Sequence, residues 1–179
     1  VNAVSEFTLG FDPLLNSAAY SNTSLSVSSQ DSAPLGLTFK PDGSRLFIAG
    51  NGSNSVLQYD LSTNYDLSTA QYNSVSFSVS SQDDIPRDVV FSADGTKMFV
   101  AGFRNNSLFQ YSLSSAFAVN TASYDNVSLD LSSQQTNGVT GCTISADGTK
   151  FYTIDSGDTV YQYNLTTAYD LSSATYSSA

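Results

Sequence analysis

The sequence predicts an all-β fold assembled from four-stranded antiparallel units, and three observations carry that reading. The first is a repeat: FKPDGSRLFIAG at 39–50 returns as FSADGTKMFVAG at 91–102 and as ISADGTKFYTID at 144–155. The Asp-Gly pairs fall at 42–43, 94–95 and 147–148, and a period near fifty residues marks a repeat architecture. The second is a Gln-Tyr marker at 58–59, 110–111 and 162–163 that keeps the same spacing. The third is apolar alternation at strand period, with helical periodicity absent throughout.

Each repeat divides into four segments, A to D. Segment A covers 35–39, 87–91 and 140–144, and segment B covers 45–49, 97–101 and 150–154. The Asp-Gly pair between them predicts a tight turn, because Gly accepts positive φ and Asp bonds its own backbone. Segment B is apolar on both faces (Leu46 and Ile48 on one, Phe47 and Ala49 on the other), as expected of a strand between layers. Segment C covers 56–61, 108–113 and 160–165. In segment D, Val75, Phe77 and Val79 alternate strictly with serines, which predicts a half-exposed outer strand. A buried middle and one wet edge describe a four-stranded blade of a β-propeller.

The link from C to D also repeats, as YDLSTAQY at 65–72, FAVNTASY at 117–124 and YDLSSATY at 169–176. It is expected to be a long loop pinned by its aromatics, with Asp66 or Asp170 capping a short turn. Residues 4–20 align with 56–72, Glu6 and Phe7 standing in the Gln-Tyr slots. The chain is therefore expected to open with C and D, run two full sets, and close with A, B and C but no D. This gives one propeller domain over 1–179, with repeats at approximately 1–33, 34–85, 86–138 and 139–179.

The F-S-x-D-G-x-K-x-F/Y-V element followed by Y-Q-Y resembles the YVTN- and WD40-like repeats of bacterial β-propellers. With the Y-D-L-S-x-A-x-Y tail it is similar to propeller repeats of phage and marine bacterial surface proteins. The resemblance spans nearly the whole chain. It implies the propeller fold and the binding and scaffolding roles common there, favours an extracellular or virion-surface setting, and supplies no common active site from which a catalytic residue carries over.

Composition narrows the function. The formal charge of −10 argues against nucleic acid, whose phosphates demand a basic footprint. No apolar run approaches membrane-spanning length. The absence of His excludes a Ser-His-Asp triad and His-ligated metal sites. Cys142 is the only cysteine and is expected to be a buried, inert thiol. No cofactor and no metal site are expected. Asp31, Asp83 and Asp84, or Asp155 and Asp158, offer carboxylates for Ca²⁺, but no EF-hand or RTX spacing supports that use.

In the usual propeller geometry the D-to-A and B-to-C connections share one face of the disc and the Asp-Gly turns occupy the other. The Asp-Gly face hardly varies between copies. The opposite face does, which is where repeat proteins place binding. There Asp83, Asp84, Arg87 and Asp88 stand out, since Arg87-Asp88 replaces Leu35-Gly36 and Thr140-Gly141 at the start of an inner strand. One reading is a polar ligand or cation site; the other is an ion pair dressing a wet channel. Phe103, with Arg104 and Asn105, is expected to be an exposed aromatic platform.

The leading functional expectation is a non-catalytic recognition module that binds glycan or another surface polymer. The alternative is a structural or assembly propeller with protein partners only, and a propeller hydrolase ranks below both. Three blades are too few for closure, so a six-bladed homodimer is expected. In it the N-terminal D strand of one copy completes the last blade of the other, and the N-terminal C-like strand is displaced.

Overall fold

The computed structural model describes residues 2–8 and 18–177. The three Asp-Gly turns are built alike. Asp42, Asp94 and Asp147 each accept the backbone N–H two residues on, from Ser44, Thr96 and Thr149. The glycine between takes φ of +74°, +72° and +71°, a region that side chains resist. A Cβ at Gly43, Gly95 or Gly148 would also meet the ring of Tyr65, Phe117 or Tyr169, at 2.3, 2.1 and 2.5 Å. Those rings belong to the repeated C-to-D link, so its aromatics are pinned onto the Asp-Gly turn of their own repeat.

These turns join β3 (Pro34–Phe39) to β4 (Arg45–Gly50), β7 (Pro86–Phe91) to β8 (Lys97–Gly102), and β11 (Val139–Ile144) to β12 (Lys150–Asp155). The C positions are filled by β5 (Ser55–Leu61), β9 (Ser107–Leu113) and β13 (Val160–Leu165). The D positions hold β6 (Ala70–Ser78), β10 (Ala122–Asp130) and β14 (Ala174–Tyr176). Three four-stranded antiparallel sheets result, in the orders β3-β4-β5-β6, β7-β8-β9-β10 and β11-β12-β13-β14. Strands β1 (Ala3–Thr8) and β2 (Ala19–Ser26) form a separate antiparallel pair in the C and D positions, half a blade. The fold is thus all-β and propeller-like, as the repeat predicted.

The sheets stack face to face, and the core lies between them. Phe47, Ala49 and Val56 of the first blade pack with Val89, Met98, Val100 and Tyr111 of the second. Phe99, Ala101 and Leu108 meet Phe151, Tyr163 and Leu165 in the same manner. Val4, Leu25 and Val27 of the half-blade cover Leu46, Ile48 and Tyr59. This explains why segment B carries no polar alternation: both of its faces are interfaces.

The Gln-Tyr marker latches neighbouring blades. The Gln58 side-chain carbonyl accepts the Val119 N–H of the next blade at 3.3 Å, and that of Gln110 accepts the Leu171 N–H at 2.8 Å. Glu6 does the same for Leu67 at 3.2 Å. All three donors open a short 3-10 turn. The tyrosine reaches the other way: the hydroxyls of Tyr59 and Tyr111 donate to Gln30 and Gln82, in the loop entering their own blade.

Three expectations are corrected. The C-to-D link is shorter than expected: it spans residues 62–69 and holds the 3-10 turn Leu67–Thr69, capped by Asp66 as anticipated, and the D strand begins at Ala70. The last set does have a D strand, because β14 pairs with β13 at Ala174, Thr175 and Tyr176. The N-terminal C strand is not displaced, since β1 pairs with β2 of its own chain. The D position of the last blade is thus filled in part, opposite Tyr163, Asn164 and Leu165. The cause of the last two is common: a C–D pair closes locally, with little loop entropy to overcome.

Candidate functional site

Asp31 and Asp83, at the D-to-A connections, fasten the neighbouring B-to-C loop through backbone amides. Asp31 accepts from Ala33, Gly52 and Ser53. Asp83 accepts from Ile85, Arg104 and Asn105, at 2.7, 3.4 and 2.8 Å. Both sets of loops accordingly share one face, as expected. Asp83 is only 2% exposed and its oxygens are engaged, which makes it a structural staple.

Around it stand the other expected site residues. Asp84 and Arg104 form an exposed ion pair. The Asn105 amide donates to the Gln82 carbonyl at 2.6 Å. The Arg87 guanidinium lies 4.5 Å from the Phe103 ring centroid. Gly138 backs the same ring so closely that a Cβ there would lie 2.6 Å from it. The expectation of an exposed Phe103 platform is corrected, because the ring is half-buried between Arg87 and Gly138. Arg87 makes no salt bridge among the described residues, and its buried Nε lacks a hydrogen-bond partner.

Asp88 is set apart from this group, half-buried between the A strands β3 and β11. Each A strand is bulged near its start, with register shifts at Pro34/Gly36, Pro86/Asp88 and Val139/Gly141. Such bulges re-aim side chains. The repeat-equivalent positions on either side are Gly36 and Gly141, and Gly36 makes room for the carboxylate. A Cβ at Gly36 would lie 2.4 Å from Asp88 Oδ1, and one at Gly141 would lie 3.7 Å from Oδ2. Asp88 Oδ1 accepts the Val89 N–H and Oδ2 the Cys142 N–H, both at 2.9 Å. One carboxylate thus touches the innermost strands of all three blades.

Burial raises the Asp88 pKa, outweighing the two amides that favour its charged form. It opens onto a cleft of about 360 Å³ shared with Gly141, Cys142, Thr143, Tyr152, Thr153, Ile154 and Val160. Burial, and next the Asp88 charge, pushes the Cys142 thiol well above its usual value. That leaves little thiolate, and the inert-thiol expectation agrees. Among the described residues no group of three or more Cys, Asp or Glu side chains is placed to hold a metal. Asp155 spends its carboxylate on the Gly157 and Thr159 amides and the Tyr161 hydroxyl.

Sequence reasoning named Gly36 and Gly141 only as the slot that Asp88 fills and Cys142 only as an inert thiol, and it did not single out Thr153. The available signal was the slot itself: a carboxylate in one repeat where the other two carry glycine.

The fold places the chain beside solved propellers. No family model matches the sequence, and no curated protein matches it. A Bacteroides uniformis protein provisionally named a 6-phosphogluconolactonase is similar at 13% identity and a TM-score of 0.63, over 97% of this chain and 50% of its own. A protein from Lactobacillus plantarum is similar at 16% identity and 0.63, over 98% and 50%. The periplasmic gluconolactonase of Pseudomonas aeruginosa follows at 16% and 0.58, over 80% and 39%. The chain spans about half the length of these structures or less. At such identities the likeness establishes the fold. The lactonase names run against the expectations of a non-catalytic recognition module and of a protein that is no enzyme, and both are corrected here. Those expectations leaned on the variable polar face and on the missing His, yet a carboxylate can also serve as the general base that opens a cyclic ester.

Proposed function

We propose that the chain is part of a propeller hydrolase acting on a lactone, with Asp88 as general base. The observation that carries the reading is the Asp88 carboxylate: desolvated, raised in pKa and open to a cleft at the innermost strands. The names of similar structures support the substrate class, and the likeness of the repeat to YVTN- and WD40-like propeller repeats is compatible with it.

In this scheme Asp88 takes a proton from water as the water oxygen bonds to the lactone carbonyl carbon. The ring C–O bond then breaks, and the proton passes to the departing ring oxygen, giving the open hydroxy acid. A carboxylate of raised pKa is a stronger base once ionised, so proton transfer is aided. Arg87 lies outside the cleft, stacked on Phe103, so the scheme assigns the base alone to a side chain.

Titrating the acid released from glucono-δ-lactone, above the spontaneous rate, tests this. The rate is expected to rise with pH as Asp88 ionises. Asp88→Asn should lower it by about 10²-fold or more and abolish that limb of the profile. Asparagine keeps the acceptor for the Cys142 amide and loses the one that Val89 uses, so a thermal melt of the variant is run beside the assay to establish that it folds. A rate no faster than the spontaneous one, or an unchanged Asp88→Asn rate, rejects the proposal.

A further inference from the structure

We infer that the edge of β1, together with Leu35 and Leu37, is the seat of an A–B β-hairpin of this same repeat that lies outside residues 1–179. The three complete blades show what belongs there. Strands β5, β9 and β13 are each hydrogen-bonded on both sides, by a B strand and a D strand. The strand β1 occupies the same position and, among the described residues, pairs with β2 alone. Its other edge offers unpaired backbone donors and acceptors, the template to which another strand adds.

The neighbouring apolar surface gives a second, independent sign. Val89 stands in the A strand of the second blade and is 0% exposed, because Phe47 and Ala49 of the preceding blade cover it. Its counterpart in the first blade, Leu37, is 49% exposed, and Leu35 is 46% exposed. Both line a hollow with Val4, Val27 and Ile48, beside the bare edge of β1. A hairpin paired to β1 would bring its own B-strand side chains onto these leucines, repeating the contact made by Phe47 and Ala49. A second copy of the chain cannot supply this, since β3-β4, β7-β8 and β11-β12 are already built into blades. The half-length coverage of the similar propellers agrees with a missing segment of the same kind.

The test is a graft. Residues 34–54 of the chain are copied in front of Ala3, in place of the first two residues, so that Ala3 follows as Ser55 follows Asn54. The baseline is a graft of equal length and composition with its alternation scrambled. The intact graft should raise Tm by about 4 °C or more over the scrambled one, and slow exchange of the β1 amides that point away from β2 by about 10-fold or more. Leu37→Asp at the chain's own position should cancel the gain while scarcely changing Tm of the 179-residue chain. An intact graft that melts no higher than the scrambled one, unfolded or not, overturns the inference. So does a 179-residue chain that runs as a dimer with those β1 amides already protected, for then a second copy fills the seat.

Discussion

At the scale of single residues, the Asp-Gly turn shows how two adjacent positions can carry separate constraints. Glycine is required by positive φ and by the aromatic ring laid against it. Aspartate is required by its hydrogen bonds: the side chain of Ser92, then the backbone and side chain of Thr96, hold Asp94 below its usual pKa. Ser145 and then Thr149 hold Asp147 down to about 2. A carboxylate whose folded pKa is depressed stabilises fully above its unfolded value and loses that contribution as pH falls through the folded one. Asp94→Ala is expected to cost about 1 kcal/mol at neutral pH, the scale of a lost hydrogen bond on an exposed turn. Thermal melts of both proteins should show the gap narrowing once the pH drops below the ordinary carboxylate range. A gap that persists unchanged into strong acid would assign the effect to the side chain's shape and not its charge. Gly95→Val breaks the other constraint and should cost more, about 1–3 kcal/mol, at every pH.

At the scale of elements, the D strand is where sequence and structure diverge most usefully. Asn22, Ser74 and Asn126 take φ near +60° within β2, β6 and β10, beside shifts in register. Each bulge swings a polar side chain over the sheet. In the second blade Asp125 thereby gathers Lys97, Ser112 and Gln110 at 2.8, 2.6 and 2.8 Å. Gln110 is consequently fixed at both ends, since its carbonyl oxygen also accepts the Leu171 amide. Gln110→Ala should therefore orphan a buried N–H, a loss of about 1–3 kcal/mol. Hydrogen exchange resolves where that loss falls: the Leu171 amide and the 3-10 turn should open first, ahead of β12 and β13. Equal acceleration throughout the third blade would show that Gln110 acts through general packing and not as a latch.

At the scale of the whole molecule, stability is distributed over interfaces between successive sheets. Repeat arrays behave as units coupled to nearest neighbours, so one interface can fail without its own sheets unravelling. Phe47 is the test position. It is fully buried and lies 4.4 Å from Phe91 and 6.5 Å from Phe117, ring centre to ring centre, across the first interface. Phe47→Ala should cost about 3–5 kcal/mol. Urea melts followed by exchange at individual amides should find residues 34–78 opening apart from residues 86–130. If both still open together at one midpoint, coupling between the blades is stronger than the nearest-neighbour picture allows.

What the sequence determined by itself was periodic. The Asp-Gly turns, the two-faced apolar B strands and the Gln-Tyr marker recur at a fixed interval, although that the marker latches neighbouring blades was seen only in the structure. Repetition makes such features visible without coordinates. The grouping of Asp83, Asp84, Arg87, Phe103, Arg104 and Asn105 on one face was likewise legible, because loop position follows from strand order. Tertiary structure alone decided what happens where repeats differ or meet. Asp83 proved to be a staple and Phe103 a covered ring, since backbone amides and a guanidinium from distant loops reach them. Asp88 acquired its raised pKa from burial among three inner strands, and Gly36 comes within reach of it only because the blades stack about an axis. Partners across fifty residues, and the desolvation they impose, are set by packing, which leaves no local mark on the residues involved.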